Sequence, residues 1–388
     1  MHSEALPETV LPQDSAFQQE AEPDAESRAR AIAGKGDFAH IEHELVMEGL
    51  LKSQSARVME KYSYIFSQMQ EVNERDLEMF TILELYDKGT ARHCAETYRI
   101  AREKLEKRLA SGVVLGKLFE QELVTLDEFF RACLLHDIGK VDIPRSVINH
   151  PMNDTQMDLY LRDLVVEHHD PDILARLEEA GGIKPHIATA EELEAYLKEH
   201  QLRSVHFVPA RMVLHEEEVE ELEERGFDPD QSIMDIIKTH EARSREILTE
   251  AGMPVEGELA GMHHNYEGAT SHYPLALSSL HISVDLSELL HIADVQQALS
   301  AVRSYKTGFS KPRVLRIIME EVRCGRIAEE AAYLWVDDDL NEFRFHSDPV
   351  VSLEDAQHVQ YVRSQLERIR TNLETDPERE RRWGLAAA

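Results

Sequence analysis

The stretch that most constrains the fold is 126–140, LDEFFRACLLHDIGK, which delivers an adjacent His136-Asp137 pair from an apolar helix straight into a glycine turn. Thr125 and Glu128 match a capping box at its start. Phe129, Ala132 and Cys133 precede His136 by seven, four and three positions, so a 3.6-residue period puts the imidazole at the end of an apolar stripe, facing inward. Gly139 is expected to stop the helix in the left-handed conformation, with Lys140 just past the last turn. Alone, the pair reads as a core histidine with a satisfied partner beside a helix-end carboxylate, the commoner fate of buried polar groups. The rest of the chain changes that reading.

The architecture expected from periodicity is all-α. Residues 1–40, rich in Glu, Asp, Ala, Ser and Gln without an apolar period, read as a disordered acidic tail. Across 41–85 a long stripe runs through Leu45, Leu50, Val58, Tyr62, Phe66, Leu77, Phe80 and Leu83, more than one surface helix carries. Two readings are open for it, a packing lobe and a dimerisation helix pair. Asp87-Lys88-Gly89-Thr90 breaks the pattern, and a helix then carries His93 to about Leu109. Segment 151–207, with two charged helices split by Gly181-Gly182, reads as an insertion, either a lid or surface decoration. Its flanks, Ile143–His150 and Val208–His215, loosely echo each other. Helix 232–248 turns His240 to the face of Ile233, Ile236, Ile237 and Ile247, helix 255–264 ends in His263-His264, and helix 282–302 sets Asp294 in line with Leu290 and Ala298. Residues 311–388 read as a mostly helical extension, with alternation suggesting a short hairpin at 331–346.

Composition removes several classes of function. With 42 Lys+Arg against 74 Asp+Glu, the formal charge of −32 repels an extended nucleic acid, whereas a small anion stays within reach of locally bound cations. No run approaches the roughly 18 apolar residues of a membrane helix, and residues 1–15 lack the build of a signal peptide, so a cytoplasmic protein is expected. Cys94, Cys133 and Cys324 have no metal-type spacing and are expected to be free, buried thiols.

His93, His136, Asp137, His240, His263, His264 and Asp294 thus come from separate helices, each at an inward position. Burying them without a cation would cost about 1–3 kcal/mol for each unpaired polar group and more for charged ones. A shared metal centre removes that cost, and imidazole with carboxylate suits first-row transition ions.

The order of these blocks, His93, HDIGK at 136–140, His240, HHNYEGATSHYP at 263–274, IADVQQAL at 292–299 and RSYK at 303–306, resembles the HD-GYP family of HD-domain metal phosphohydrolases, over about 86–310. The resemblance implies an all-helical HD bundle and a bacterial signalling phosphodiesterase acting on a cyclic dinucleotide, cyclic di-GMP above all. It implies two divalent ions, Fe or Mn before Zn, Co or Ni, held by His93, His136, Asp137, His240, His263 and Asp294, with Asp137 as the bridge. A metal-bound hydroxide, available near neutral pH because metal lowers the pKa of water to about 7, would attack phosphorus. Asp87 and Lys140 would stand beside water and phosphate, and Arg303, Lys306 and Tyr273 would hold the substrate. Read without the family, Arg303 and Lys306 are surface cations at a helix end.

Three departures accompany the likeness: Ser271-His272-Tyr273-Pro274 replaces the name-giving glycine, Asn265 follows the histidine pair, and Gly89 stands where trinuclear relatives carry a glutamate. A dinuclear centre is therefore expected, with His264 bonded to water, substrate or a neighbouring group. The competing readings are a catalytically silent binding or signalling module and a phosphohydrolase acting on another nucleotide ester.

Overall fold

Helix follows helix wherever the apolar period holds. The computed structural model describes residues 24–69, 73–110, 124–151, 153–264, 284–301, 308–345 and 352–375. Its main helices are α1 Ala25–Ala33, α2 Phe38–Met47, α3 Leu51–Lys61, α4 Glu74–Tyr86, α5 Lys88–Ala110, α6 Leu126–Leu135, α7 Asp154–Arg162, α8 Pro171–Gly181 and α9 Ala190–Glu199. They continue as α10 Glu216–Glu224, α11 Ile233–Lys238, α12 His240–Glu250, α13 Pro254–Ala260, α14 Val284–Ser300, α15 Lys311–Arg323, α16 Glu329–Phe345 and α17 Leu353–Glu374. Among the described residues the only β pairing is an isolated bridge between Pro209 and Ser232, so the protein is all-α.

One hydrophobic core runs from Ala29 to Leu373, through the helices before, within and after residues 86–310. Much of the stripe over 41–85 lies inside it: Leu45, Val58, Tyr62, Ile65, Phe66, Phe80 and Leu83 are buried. Within the segment expected to be a disordered tail, residues 25–33 are helical. Asp24 caps α1, accepting from the Ser27 amide at 2.9 Å, and Ala29 and Ala33 are buried in the common core. Those small side chains supply contact without a run of large apolar residues, which is why composition pointed to disorder.

The hairpin expected at 331–346 is helix α16. Ala331, Ala332, Trp335, Val336 and Leu340 are all buried, and that spacing is helical, so packing chose the 3.6 period over the alternation. The insertion holds three helices, α7, α8 and α9, rather than two, around a core of its own formed by Met157, Leu161, Val165, Ile173, Leu177, Leu193, Val205 and Phe207. Gly182, at φ 70°, caps α8 in the left-handed region. Its echoing flanks meet: Ile143 and Val147 share a third cluster with Ala210 and Leu214. Cys94 and Cys133 are buried as expected, but Cys324 is exposed, because it follows the last turn of α15.

Candidate metal centre

The centre forms where α5, α6, α12, α13 and α14 meet. Helix α6 begins with the expected capping box, in which the Glu128 amide donates to Thr125 Oγ1 at 3.1 Å and the Thr125 amide to Glu128 Oε2 at 2.7 Å. It ends at His136, and the chain tightens into a 3-10 turn over Ile138–Asp142. Gly139 lies inside that turn and is absent from the positive-φ glycines, which corrects the expectation of a left-handed stop. The glycine is required by close approach. A Cβ there would stand 2.2 Å from the His240 carbonyl oxygen and 2.5 Å from the Ser244 nitrogen, while the Gly139 amide donates to Ser244 Oγ at 2.9 Å. The turn carrying Asp137 is thereby pressed against the start of α12, bringing Asp137 to His240.

Each histidine is aimed by its far nitrogen. His136 Nδ1 donates to the Cys133 carbonyl at 3.0 Å, His240 Nδ1 to Ile237 at 2.5 Å, and His263 Nδ1 to Ala260 at 2.5 Å. His93 Nδ1 pairs with the Gln297 side-chain oxygen. Carbonyl oxygens only accept, so each of these four rings carries a proton on Nδ1 and turns Nε2 into the centre. There it meets carboxylate oxygens. His93 Nε2 is 2.7 Å from Asp294 Oδ1 and 3.7 Å from Asp137 Oδ2, and His136 Nε2 is 3.5 Å from Asp137 Oδ2. On the other side, His240 Nε2 is 3.2 Å and His263 Nε2 3.9 Å from Asp137 Oδ1. His240 and His263 bring their Nε2 atoms within 3.3 Å of each other.

Acceptor atoms facing one another in a buried pocket repel unless a positive charge lies between them. His136 Nε2 and Asp137 Oδ1 are buried without a hydrogen-bond partner, as metal-seeking atoms would be. His93, His136 and Asp294 offer ligand atoms within 4.8 Å of one another, and so do His240, His263 and His264. The donor set therefore fits divalent transition ions, with Asp137 presenting one oxygen to each group.

Electrostatics agree. Burial pushes His136 down and His263 far down, and it pushes His264, crowded by other imidazoles, down to about 3, so these rings stay neutral. Burial opposes the charge on Asp137, but Lys140, with Nζ 2.6 Å from Oδ2, and the histidines hold it well below the carboxylate range. Asp294 is likewise held low against burial by His93. Burial lowers His93, yet Asp294 and Asp137 outweigh it and raise the ring.

Of the residues singled out in the sequence, His93, His136, Asp137, Lys140, His240, His263, His264 and Asp294 converge. Asp87 has local hydrogen bonds. Its Oδ1 accepts from the Thr90 amide at 2.6 Å and its Oδ2 from Asn149 Nδ2 at 3.1 Å, so it caps the start of α5. Tyr273, Arg303 and Lys306, with the altered loop at 265–274, lie outside the described residues. Three neighbours of the site had been passed over. Gln297 and His291 lie three residues on either side of Asp294, the helical spacing that could have revealed them, and Cys94 joins His136 and Asp137 in a third buried group. Burial, then the Asp137 charge, raises Cys94 well above the usual thiol range, so it remains a thiol. Beside Gln297, Gln296 accepts from the buried Trp335 indole at 2.5 Å, tying α16 to the site helix α14.

No protein-family model matches the chain, and no solved structure does. Among curated proteins, 92 residues are 38% identical to the 3'3'-cGAMP-specific phosphodiesterase 1 of Vibrio cholerae serotype O1. That stretch is 24% of this chain and 21% of the relative, so the match spans about a fifth of that protein's length. The chain is thus similar in part to a phosphodiesterase, and its buried His/Asp groups could hold metal ions.

Proposed function

We propose that this chain is a metal-dependent phosphodiesterase of the HD-GYP type that hydrolyses a cyclic dinucleotide. The observation that carries the reading is the convergence of Nδ1-anchored imidazoles on two ionised, buried carboxylates. Two ions would be held, one by His93, His136, Asp137 and Asp294, the other by Asp137, His240 and His263. When bound, such ions act as Lewis acids toward a phosphoryl oxygen and lower the pKa of water, the chemistry a phosphodiester requires at neutral pH. Iron or manganese suits this mixed nitrogen and oxygen set.

The protein's own groups supply orientation and charge. Carbonyls of Cys133, Ile237 and Ala260 hold three rings at one angle, so little rearrangement is needed as charge develops on the phosphate. Lys140 keeps Asp137 ionised and adds a cation at the edge of the pocket. Arg303 and Lys306, by the family resemblance, grip the phosphates, and Tyr273 contacts the substrate. Asp137, Lys140 and Asp87 keep their proposed places beside water and phosphate, and Asp87 also caps the start of α5.

Two substrates stand in front. Cyclic di-GMP is favoured by the motif order, and 3'3'-cGAMP by the partial likeness to a phosphodiesterase specific for it. Purified protein loaded with Mn or Fe, incubated with cyclic di-GMP, 3'3'-cGAMP and cyclic di-AMP, should hydrolyse at least one of them. A protein that retains its metal yet cleaves none is the silent module instead. Arg303→Ala should raise KM by on the order of 10-fold, the scale of a lost charged contact, and leave the metal content alone. An unchanged KM would make Arg303 the surface cation of the bare sequence reading.

A further inference from the structure

We infer that the centre has a third cation position, formed by His264, His291 and Asp294, with His291 as a ligand that neither the motif order nor the expected dinuclear set includes. The inference rests on the metal-centre reading above and extends it along α14.

Ligand supply decides where His264 belongs. It stands close to His240 and His263, with ring centroids 5.4 and 4.0 Å away, and could be counted as their companion. That side is already provided for, because Asp137 Oδ1 lies 3.2 Å from His240 Nε2 and 3.9 Å from His263 Nε2. His264 also faces α14. There its ligand atom lies with those of His291 and Asp294 inside one group whose members are all within 4.8 Å.

Atoms sharing one ion at about 2.0–2.2 Å stand roughly 3–4 Å apart, so this group closes with a small movement of side chains. His291 is 2% exposed and precedes Asp294 by three residues, which puts both on one face of α14. The centroids of the His264 and His291 rings are 6.0 Å apart at 75°.

Gly89 has no side-chain ligand to offer, so any third ion needs a different donor, and His291 supplies one from another helix. A carboxylate has two oxygens, and Asp294 can serve the His93 and His136 group with one and the His264 and His291 group with the other. The three positions would then be linked by two carboxylates, Asp137 and Asp294. A third ion there would add positive charge beside α14 and suit a ligand with more than one phosphate, which a cyclic dinucleotide is.

The test counts ions. Protein isolated from Mn-supplemented cells without chelator should carry three ions per chain by elemental analysis, and His291→Gln should carry two. Anomalous scattering from crystals of the unaltered protein should give a third peak within bonding distance of a His291 nitrogen, a readout that does not depend on the variant folding. A wild-type count of two with no such peak, or three ions retained in His291→Gln, overturns the third position. The two proposals fail separately. Two ions with dinucleotide hydrolysis would leave the phosphodiesterase standing and remove the third site, whereas three ions without hydrolysis would do the reverse.

Discussion

Helices α6 and α13 each contribute to two clusters of buried charge, and the clusters solve the same problem in opposite ways. Toward one end Arg131 of α6 meets Glu256 of α13, with Nε and Nη2 both 2.7 Å from Oε1, and Asp76 of α4 lies 3.9 Å away. Past the other end lie His136-Asp137 and His263-His264. In the first cluster the chain supplies its own cation. In the second, imidazoles turn their Nε2 atoms toward carboxylates, and beyond Lys140 at the rim a bound metal ion would supply balancing charge. A buried acid facing a guanidinium is complete as structure, whereas a buried acid facing Nδ1-anchored histidines is a binding site.

The sharpest way to break this contrast is to remove Asp137. Asp137→Asn takes a charge from between both histidine groups, so bound metal should be lost and phosphodiesterase activity should fall by on the order of 10³-fold or more. Elemental analysis and a hydrolysis assay on the same preparation check it, and full activity would end the metal reading. The matching change in the other cluster is Arg131→Met. It strands two buried carboxylates and should cost about 3–5 kcal/mol of stability by denaturant titration, while folded protein keeps its metal. Loss of metal at unchanged stability would show that the clusters are not separate in role.

A finer prediction concerns aim. Gln297 receives the Nδ1 proton of His93, so Gln297→Ala frees that ring and should weaken metal retention by about 10–100-fold in a competition with chelator. Retention equal to wild type would mean that Asp294 alone orients His93. Trp335→Phe, which removes the indole donor to Gln296, should act in the same direction and more weakly.

The contrast also explains what could be read in the sequence. The inward histidines were legible because an apolar stripe of period 3.6 points to the interior whatever the residue at its end, as with Phe129, Ala132 and Cys133 before His136. Capping chemistry was legible too, since Thr125 and Glu128 act within four residues. Illegible were features that need two distant segments at once. Gly139 is a glycine because α12 presses on it, a fact that no local rule for helix ends contains. Helix α1 is held through Ala29 and Ala33 by a core assembled from later helices, and α16 takes its helical form where Trp335 and Leu340 are buried. Asp87 shows the reverse limit: the family order suggests chemistry for it, and only the geometry reveals that it also caps α5.

The smallest predicted effect is a pH dependence in the cluster that holds no metal. Burial, only partly offset by Arg131 and added to by the charge of Glu256, lifts Asp76 from its ordinary value of 3.8 to about 6. The folded chain therefore binds this proton more tightly than the unfolded chain does between those values. Its contribution to stability is complete below about pH 4 and is lost as pH rises through about 6. Integrated from pH 5 to pH 8, the loss amounts to about 1 kcal/mol. Asn at this position cannot ionise and leaves Arg131 paired one to one with Glu256, so Asp76→Asn should remove that slope and be the more stable protein at pH 8. The comparison belongs on metal-loaded protein, where ligation prevents the site's imidazoles from titrating in the same window. Denaturant midpoints for both proteins at the two pH values then isolate Asp76 as a difference of differences, and an unchanged slope in the variant would mean that Arg131 already keeps Asp76 ionised at pH 5.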